Sequence, residues 1–196
     1  MWNSQVIIML LEGIRDTLYM TLASTLFGYI IGLPMGIVLT VTDKDGIRPN
    51  AAVYKVLDVI SNLLRSIPFI ILLIVLIPFT RFVVGRSYGS TATIVPLTIA
   101  AAPYIARMVE SSLKEVDAGV IEAARSMGAS DFQIVTKVML VEARTSLIVG
   151  ATISLGTILG YSAMAGTVGG GGLGDIAIRY GYTRWQTDIM VVTVVL

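Results

Sequence analysis

The sequence predicts an all-α, polytopic membrane protein of about five transmembrane helices, and three observations lead there. Side chains are 55% apolar and only 14% charged over 196 residues, with a mean hydropathy of +0.83, far from the balance of a soluble domain. Uncharged runs cover Thr17 to Thr42, Ser87 to Ala106 and Thr145 to Gly174, which are 26, 20 and 30 residues, where a bilayer crossing takes about 20. Between the last two runs lies a charged stretch, EAARSMGASDFQIVTKVML from Glu122, patterned as two short helices rather than as a span.

Taken in order, the first span is Thr17 to Thr42. No basic segment and no small-residue cleavage site precede it, Arg15 being the first positive charge, so it is expected to serve as its own anchor. The second is shorter: Ser66 to Thr80 has 15 uncharged residues, and a full crossing must borrow from the upstream VLDVISNLL and carry Arg65. Ser87 to Ala106 and Thr145 to Gly174 are the third and fourth. The fifth apolar run, IMVVTVVL, has eight residues, a rise of about 12 Å against a core of about 30 Å, so the fifth helix is expected to be cut short. The whole chain, 1–196, is expected to be one transmembrane domain.

Charge orients these spans, because basic flanks are retained on the cytoplasmic side. Lys44, Arg48, Lys55, Arg107, Lys114, Arg125, Lys137 and Arg144 fall on one side; Arg15, Arg81, Arg86, Arg179 and Arg184 fall on the other. Eight against five puts the N-terminus outside and the charged stretch inside. With no Cys and no His, thiolate and most other metal sites are excluded. No metal, cofactor or nucleic-acid partner is expected.

The charged stretch has local signals of its own. Asp117 is an N-cap for a helix through AGVIEAARSM, and Gly128 follows where a left-handed residue closes it. Ser130 and Gln133 form a capping box, S-x-x-Q, that opens a second helix through FQIVTKVML. Ile121, Ala124 and Met127 share one side of the first helix; Phe132, Val135 and Met139 share one side of the second. The segment 117–141 thus reads either as a connector along the lipid headgroups or as a docking surface for a cytoplasmic partner.

Packing signals lie within the spans. Gly28, Gly32 and Gly36 are four apart in the first, and Gly156 and Gly160 repeat the spacing in the fourth, where small residues let backbones approach. Both sets are expected to seat helices within the chain rather than to form a dimer seam. Prolines 34, 68, 78, 96 and 103 lie in or at the ends of spans, where they can bend helices.

Glu122, Ala123, Ala124, Gly128, Val138 and Leu140 match, in order and spacing, the E-A-A and Gly coupling motif of ATP-binding-cassette importer permeases. Val141 stands where that motif closes on Pro, so a smoother entry into the next span is expected. The likeness continues through RSIPFIILL from Arg65, AAPYIARMVE from Ala101 and GYSAMAGTVGGGGLGDI from Gly160. Together these stretches resemble the methionine-uptake permeases of that superfamily over nearly the whole chain. The resemblance implies a homodimer of two permease copies in a bacterial inner membrane. It implies two separate ATPase subunits docked on the coupling helices and an external binding protein that delivers methionine of either enantiomer. Small side chains at Ala123, Ala124 and Gly128 would let the helix seat in a cleft, with Glu122 at its shoulder. The resemblance also implies that Tyr161, Ser162 and Met164 lie along the substrate route. Arg65, a basic residue in a candidate span, either lines the pathway or snorkels to the surface.

A separate ATPase fits the chain's own residues, since G-x-x-x-x-G-K-[ST] is absent and Gly169 to Gly172 lack the Lys and Ser or Thr that a phosphate loop needs. The glycine run through Gly174 reads instead as irregular backbone, tolerated where it lines protein or water. The competing class is an ion-coupled amino-acid carrier or channel. Such proteins place Asp or Glu in mid-membrane, and the three long uncharged runs hold neither. A purely structural scaffold would leave the coupling motif unexplained.

Overall fold

The computed structural model describes residues 4–196, and no strand occurs among them. Helix α1, Ser4–Thr42, is 39 residues long, about 58 Å at 1.5 Å per residue. It therefore begins well before the uncharged run and carries Glu12, Arg15 and Asp16 on its first turns. Helix α5, Ser90–Lys114, and helix α9, Arg144–Ala165, are the other two long apolar helices. Pro34 sits inside α1, and Pro96 and Pro103 inside α5, without interrupting either helix.

Two other prolines do break the chain, and they correct the expected second span. The stretch upstream of Pro68 folds as α2, Ala51–Ser66; α3, Phe69–Val75, follows at 102°, and α4, Ile77–Val84, opens with Pro78 in its first turn. Proline disfavours the helical conformation in the residue before it, so Ile67 leaves the helix and the direction changes. The candidate second span is a bent pair rather than a straight helix, the geometry of a broken span or a re-entrant loop. At the chain's end, α11, Thr187–Val195, takes up seven of the eight residues of the fifth apolar run.

The helices gather into two compact units, each assembled from separated stretches of the chain. The first comprises Met1–Leu26, Ile67–Ala100 and Leu155–Leu196. Its core gathers Met20, Phe69, Leu73, Leu97 and Ala165, with Tyr161 and Val168 packed against them. A second cluster joins Leu10, Ile176 and Ile189. Its irregular part is the glycine run, which passes through a 3₁₀ turn at Gly166–Val168 and helix α10, Gly172–Ile176, before a π-helical turn at Ala177–Tyr182. The run is held by hydrogen bonds from Gly89 N to Gly169 O at 2.9 Å, Gly170 N to Ala165 O at 3.0 Å and Leu173 N to Thr17 Oγ1 at 2.9 Å. As expected, this irregular backbone is satisfied by protein.

The second unit comprises Phe27–Ser66 and Ala101–Ser154. Here α1 lies on α5 through its glycines: a Cβ at Gly32 would sit 2.6 Å from the Ala102 carbonyl oxygen, and one at Gly28 would sit 2.9 Å from Ile105 Cδ1. The first glycine set thus packs helix on helix, as its spacing predicts. Gly156 and Gly160 do not: nothing lies within 4 Å of a Cβ at either position, and both are exposed. The same unit carries the charged segment, folded as α6, Ala118–Ser126, α7, Asp131–Gln133, a π-helical stretch at Ile134–Met139 and α8, Leu140–Glu142.

Candidate functional site

The turn at Gly128 is built as its sequence predicts. Asp117 caps α6 by accepting a hydrogen bond from Gly119 N at 2.7 Å, an interaction worth about 1 kcal/mol. At the other end Ala129 N donates to Ala124 O at 3.1 Å and Gly128 N to Arg125 O at 3.0 Å, the paired bonds of a Schellman motif. Gly128 has φ +83°, where a Cβ would strain the backbone. Ser130 and Gln133 then close the capping box, Ser130 N donating to Gln133 Oε1 at 2.9 Å and Gln133 N to Ser130 Oγ at 3.4 Å.

What faces outward differs from the expected faces. Ala124 is buried, and so are Ile134, Val135 and Met139 on the π-helical stretch. Met127, however, is 83% exposed and Phe132 77%, so neither is buried with the residues that share its side of the helix. The reason is local: the left-handed Gly128 ends the 3.6-residue period beside Met127, and Phe132 stands on the first turn of a new helix. Glu122 and Ala123 are exposed next to them, while Val138 and Leu140 are half-buried. The face left open around Gly128 is therefore Glu122, Ala123, Met127 and Phe132. Two large apolar side chains beside a rigid turn were the missed signal, because spacing groups residues on one side without saying which of them a neighbour covers. Beyond the turn, Ala143 keeps right-handed helical backbone between α8 and α9, and Leu147 N donates to Ala143 O at 2.9 Å.

In the same unit a set of charged residues joins the end of α1 to α2 and α5. Lys114 Nζ stands 2.6 Å from Asp43 Oδ2 and 2.8 Å from Glu110 Oε1. Arg107 Nη1 donates to Glu110 Oε2 at 2.7 Å, and its Nη2 pairs with Asp58 and reaches Asn62 Oδ1 at 3.1 Å. Tyr54 Oη donates to Glu110 Oε1 at 3.3 Å. Glu110 is only 4% exposed, and its two cations are what make a buried carboxylate tolerable. The hydrogen bond from Lys114 holds the Asp43 carboxyl below the usual carboxylate range. Its contribution is complete at neutral pH and is lost only as pH falls through that lowered value.

The three residues expected along the substrate route do not face one way. On α9 the buried stripe is Gly150, Ser154, Ile158, Ser162 and Ala165. Ser162 is 1% exposed and donates within its own helix to Leu159 O at 2.8 Å. Tyr161 stacks on Phe69, ring centroids 4.6 Å apart and planes 4° from parallel. Met164 alone of the three is exposed, on the face that carries Gly156 and Gly160. Arg65 is exposed in the last turn of α2, ahead of the 102° bend, so it does not lie deep in a straight span. Among the described residues no cluster of His, Cys, Asp and Glu could hold a metal.

Similarity to known proteins covers the whole arrangement. The profile of a family described as binding-protein-dependent transport system inner membrane component matches residues 17–196. A probable D-methionine transport system permease protein of Vibrio cholerae serotype O1 is 48% identical over 188 residues, 96% of this chain and 84% of that protein. The D-methionine transport system permease protein of Escherichia coli K12 is 54% identical over 158 residues, 81% of this chain and 73% of that protein. A solved structure of the MetNI methionine ABC transporter in an inward-facing conformation superposes with a TM-score of 0.97 at 50% identity, over 99% of this chain and 90% of that one. A structure of an amino acid ABC transporter with histidines, at 20% identity and a TM-score of 0.76, shares the fold.

Proposed function

The chain belongs to the family of binding-protein-dependent transport system inner membrane components, and from that premise we propose that it is the permease of an ATP-driven methionine importer. The observation that carries this reading is the Gly128 turn, capped on both sides, with Met127 and Phe132 exposed beside Glu122 and Ala123. A capped turn is rigid, and exposed apolar anchors suit a protein partner. A separate ATPase subunit seats on this turn, two copies of the permease form the passage, and an external binding protein hands over the substrate. ATP binding by the paired ATPases then favours one state of the passage through differential affinity.

The charge asymmetry orients the chain with its N-terminus outside, residues 43–50 and 115–143 facing the cytoplasm and residues 166–186 facing out. Because the sequence has no Cys, single cysteines at Ser130 and Thr183 report each side cleanly with an impermeant thiol reagent. Met164, exposed and flexible, is the member of the Tyr161, Ser162 and Met164 set that lines the route; Tyr161 and Ser162 shape the helix behind it.

The test is uptake of labelled methionine by cells lacking their own system, with and without the ATPase subunit. Uptake that requires both chains and survives collapse of the proton gradient supports the reading. Uptake by the chain alone, driven by an ion gradient, would instead establish a secondary carrier.

A further inference from the structure

The coupling helix is joined to the rest of its unit at two ends. Its N-terminal end runs into α5 through residues 115–117, which are not helical. Its C-terminal end is gripped by Arg125, whose Nη2 donates to the Ile47 carbonyl in the loop after α1 at 2.9 Å. That loop is folded back on α1 by Arg48 N to Val41 O at 3.0 Å and Asn50 N to Thr42 O at 2.9 Å. Asp43, at its start, pairs with Lys114 at the end of α5. The path therefore closes on itself: α6, Arg125, the loop, Asp43, Lys114, and back to α6.

The ring surrounds space. A cavity of about 510 Å³ lies inside it, with Thr40, Asp43, Ile47, Lys114 and Arg125 on its wall. The loop and α6 thus face each other across an opening, and the side-chain bridge from Arg125 spans it. From Lys114 the ion pairs continue through the buried Glu110 to Arg107, and from there to Asp58 and Asn62 on α2. Buried ion pairs are poor stabilisers compared with apolar packing of the same volume, whereas their directional geometry fixes the distance between the elements they join.

We infer that Arg125 is a positioning residue that carries displacement of the coupling helix through Asp43–Lys114 and Glu110–Arg107 to the ends of α1, α5 and α2. The inference rests on the permease reading above. Pulling α6 moves Ile47 with it, and Asp43 and Lys114 move together because the ring is closed. Without the bridge, the helix can follow the ATPase while the loop stays behind.

Arg125 is half-exposed and its other partner, Asp131 at 3.9 Å, forms a long surface pair of little energy, so its loss costs little folding energy. The experiment uses complexes of this chain and the ATPase subunit in liposomes and measures labelled methionine taken up per ATP hydrolysed. In Arg125→Ala that ratio falls by about fivefold, a size usual for residues that carry coupling between sites, with ATPase subunit retained in the complex and hydrolysis unchanged. Arg125→Lys restores most of the ratio, since an ammonium can still donate to the Ile47 carbonyl. Glu110→Gln, which keeps the volume but removes the charge shared by Lys114 and Arg107, lowers the ratio while leaving docking intact. An unchanged ratio in Arg125→Ala overturns the inference. Loss of the ATPase subunit from that variant also overturns it, by making Arg125 a docking contact. Failure of the unaltered chain to bind any ATPase subunit overturns the permease reading itself.

Discussion

Two glycine sets with the same four-residue spacing meet opposite fates. Gly28, Gly32 and Gly36 press α1 onto α5, where a Cβ at Gly36 would come 2.7 Å from Val109 Cβ. For Gly156 and Gly160 on α9, nothing among the described residues lies within 4 Å of a Cβ. The helices around them differ in the same sense, 67% of the apolar window of α5 being buried against 22% of that of α9. Spacing of small residues makes close approach feasible; whether a neighbour arrives depends on the rest of the fold. The open set lies on the face that carries Met164, the face that the proposed permease reading gives to a second copy and a passage between copies.

Substitutions at single glycines separate these cases, because a glycine can be required for space, for conformation or for neither. Gly32→Val should have the largest effect: its side chain would meet the Ala102 carbonyl and Ile105. Overpacking of this kind costs about 3 kcal/mol or more when the obstacle is backbone. Thermal unfolding in detergent should report a large loss of stability, and a normal melting temperature would mean that α1 and α5 are not seated as described.

Gly128→Val comes next and acts through conformation alone. Nothing lies within 4 Å of its Cβ, but φ is +83°, a cost of roughly 1–2 kcal/mol for a residue with a Cβ. Folding and membrane insertion should survive while methionine uptake is lost, because Met127 and Phe132 no longer flank a fixed turn. Uptake at the normal rate would remove the turn from the docking role.

Gly156→Leu should leave the protomer's stability within about 0.5 kcal/mol, as for surface positions without special contacts. The fraction cross-linked as a dimer should fall, because the larger side chain fills the open face. An unchanged dimer would place the second copy elsewhere. Gly160→Ala is the mildest: with no steric obstacle, alanine should raise helix stability by up to about 1 kcal/mol. A drop in stability would reveal a neighbour at that face within the protomer.

The ends of α6 and the start of α7 were legible in the sequence because capping acts over three or four residues. Asp117, Gly128, Ser130 and Gln133 each find their partner within that distance. The Pro68 break was legible in kind, as a proline that bends a span, though not in its angle. Helical spacing grouped Met127 with Ala124 and Phe132 with Val135 and Met139, but spacing alone does not decide which members of a side a neighbour covers. Tyr161 and Ser162 were placed on the route by their position in a motif, whereas Phe69 and the interior stripe of α9 hold their side chains inward.

The sequence by itself determined the long apolar helices, the capped turn between two of them and, through several matched motifs, the family. Each of these depends on hydrophobicity summed along one segment or on hydrogen bonds between near neighbours. Only the tertiary structure decided which glycine set is covered, and that Arg65 ends an exposed helix. It also brought Asp43, Asp58, Glu110, Arg107 and Lys114 together in one chain of ion pairs. Asp43 and Lys114 are 71 positions apart in the sequence, and a 2.6 Å contact between them exists only because α1 and α5 lie side by side through Gly32 and Gly36. Burial and ion pairing are properties of the neighbour a residue meets, and in this chain that neighbour arrives from a distant helix.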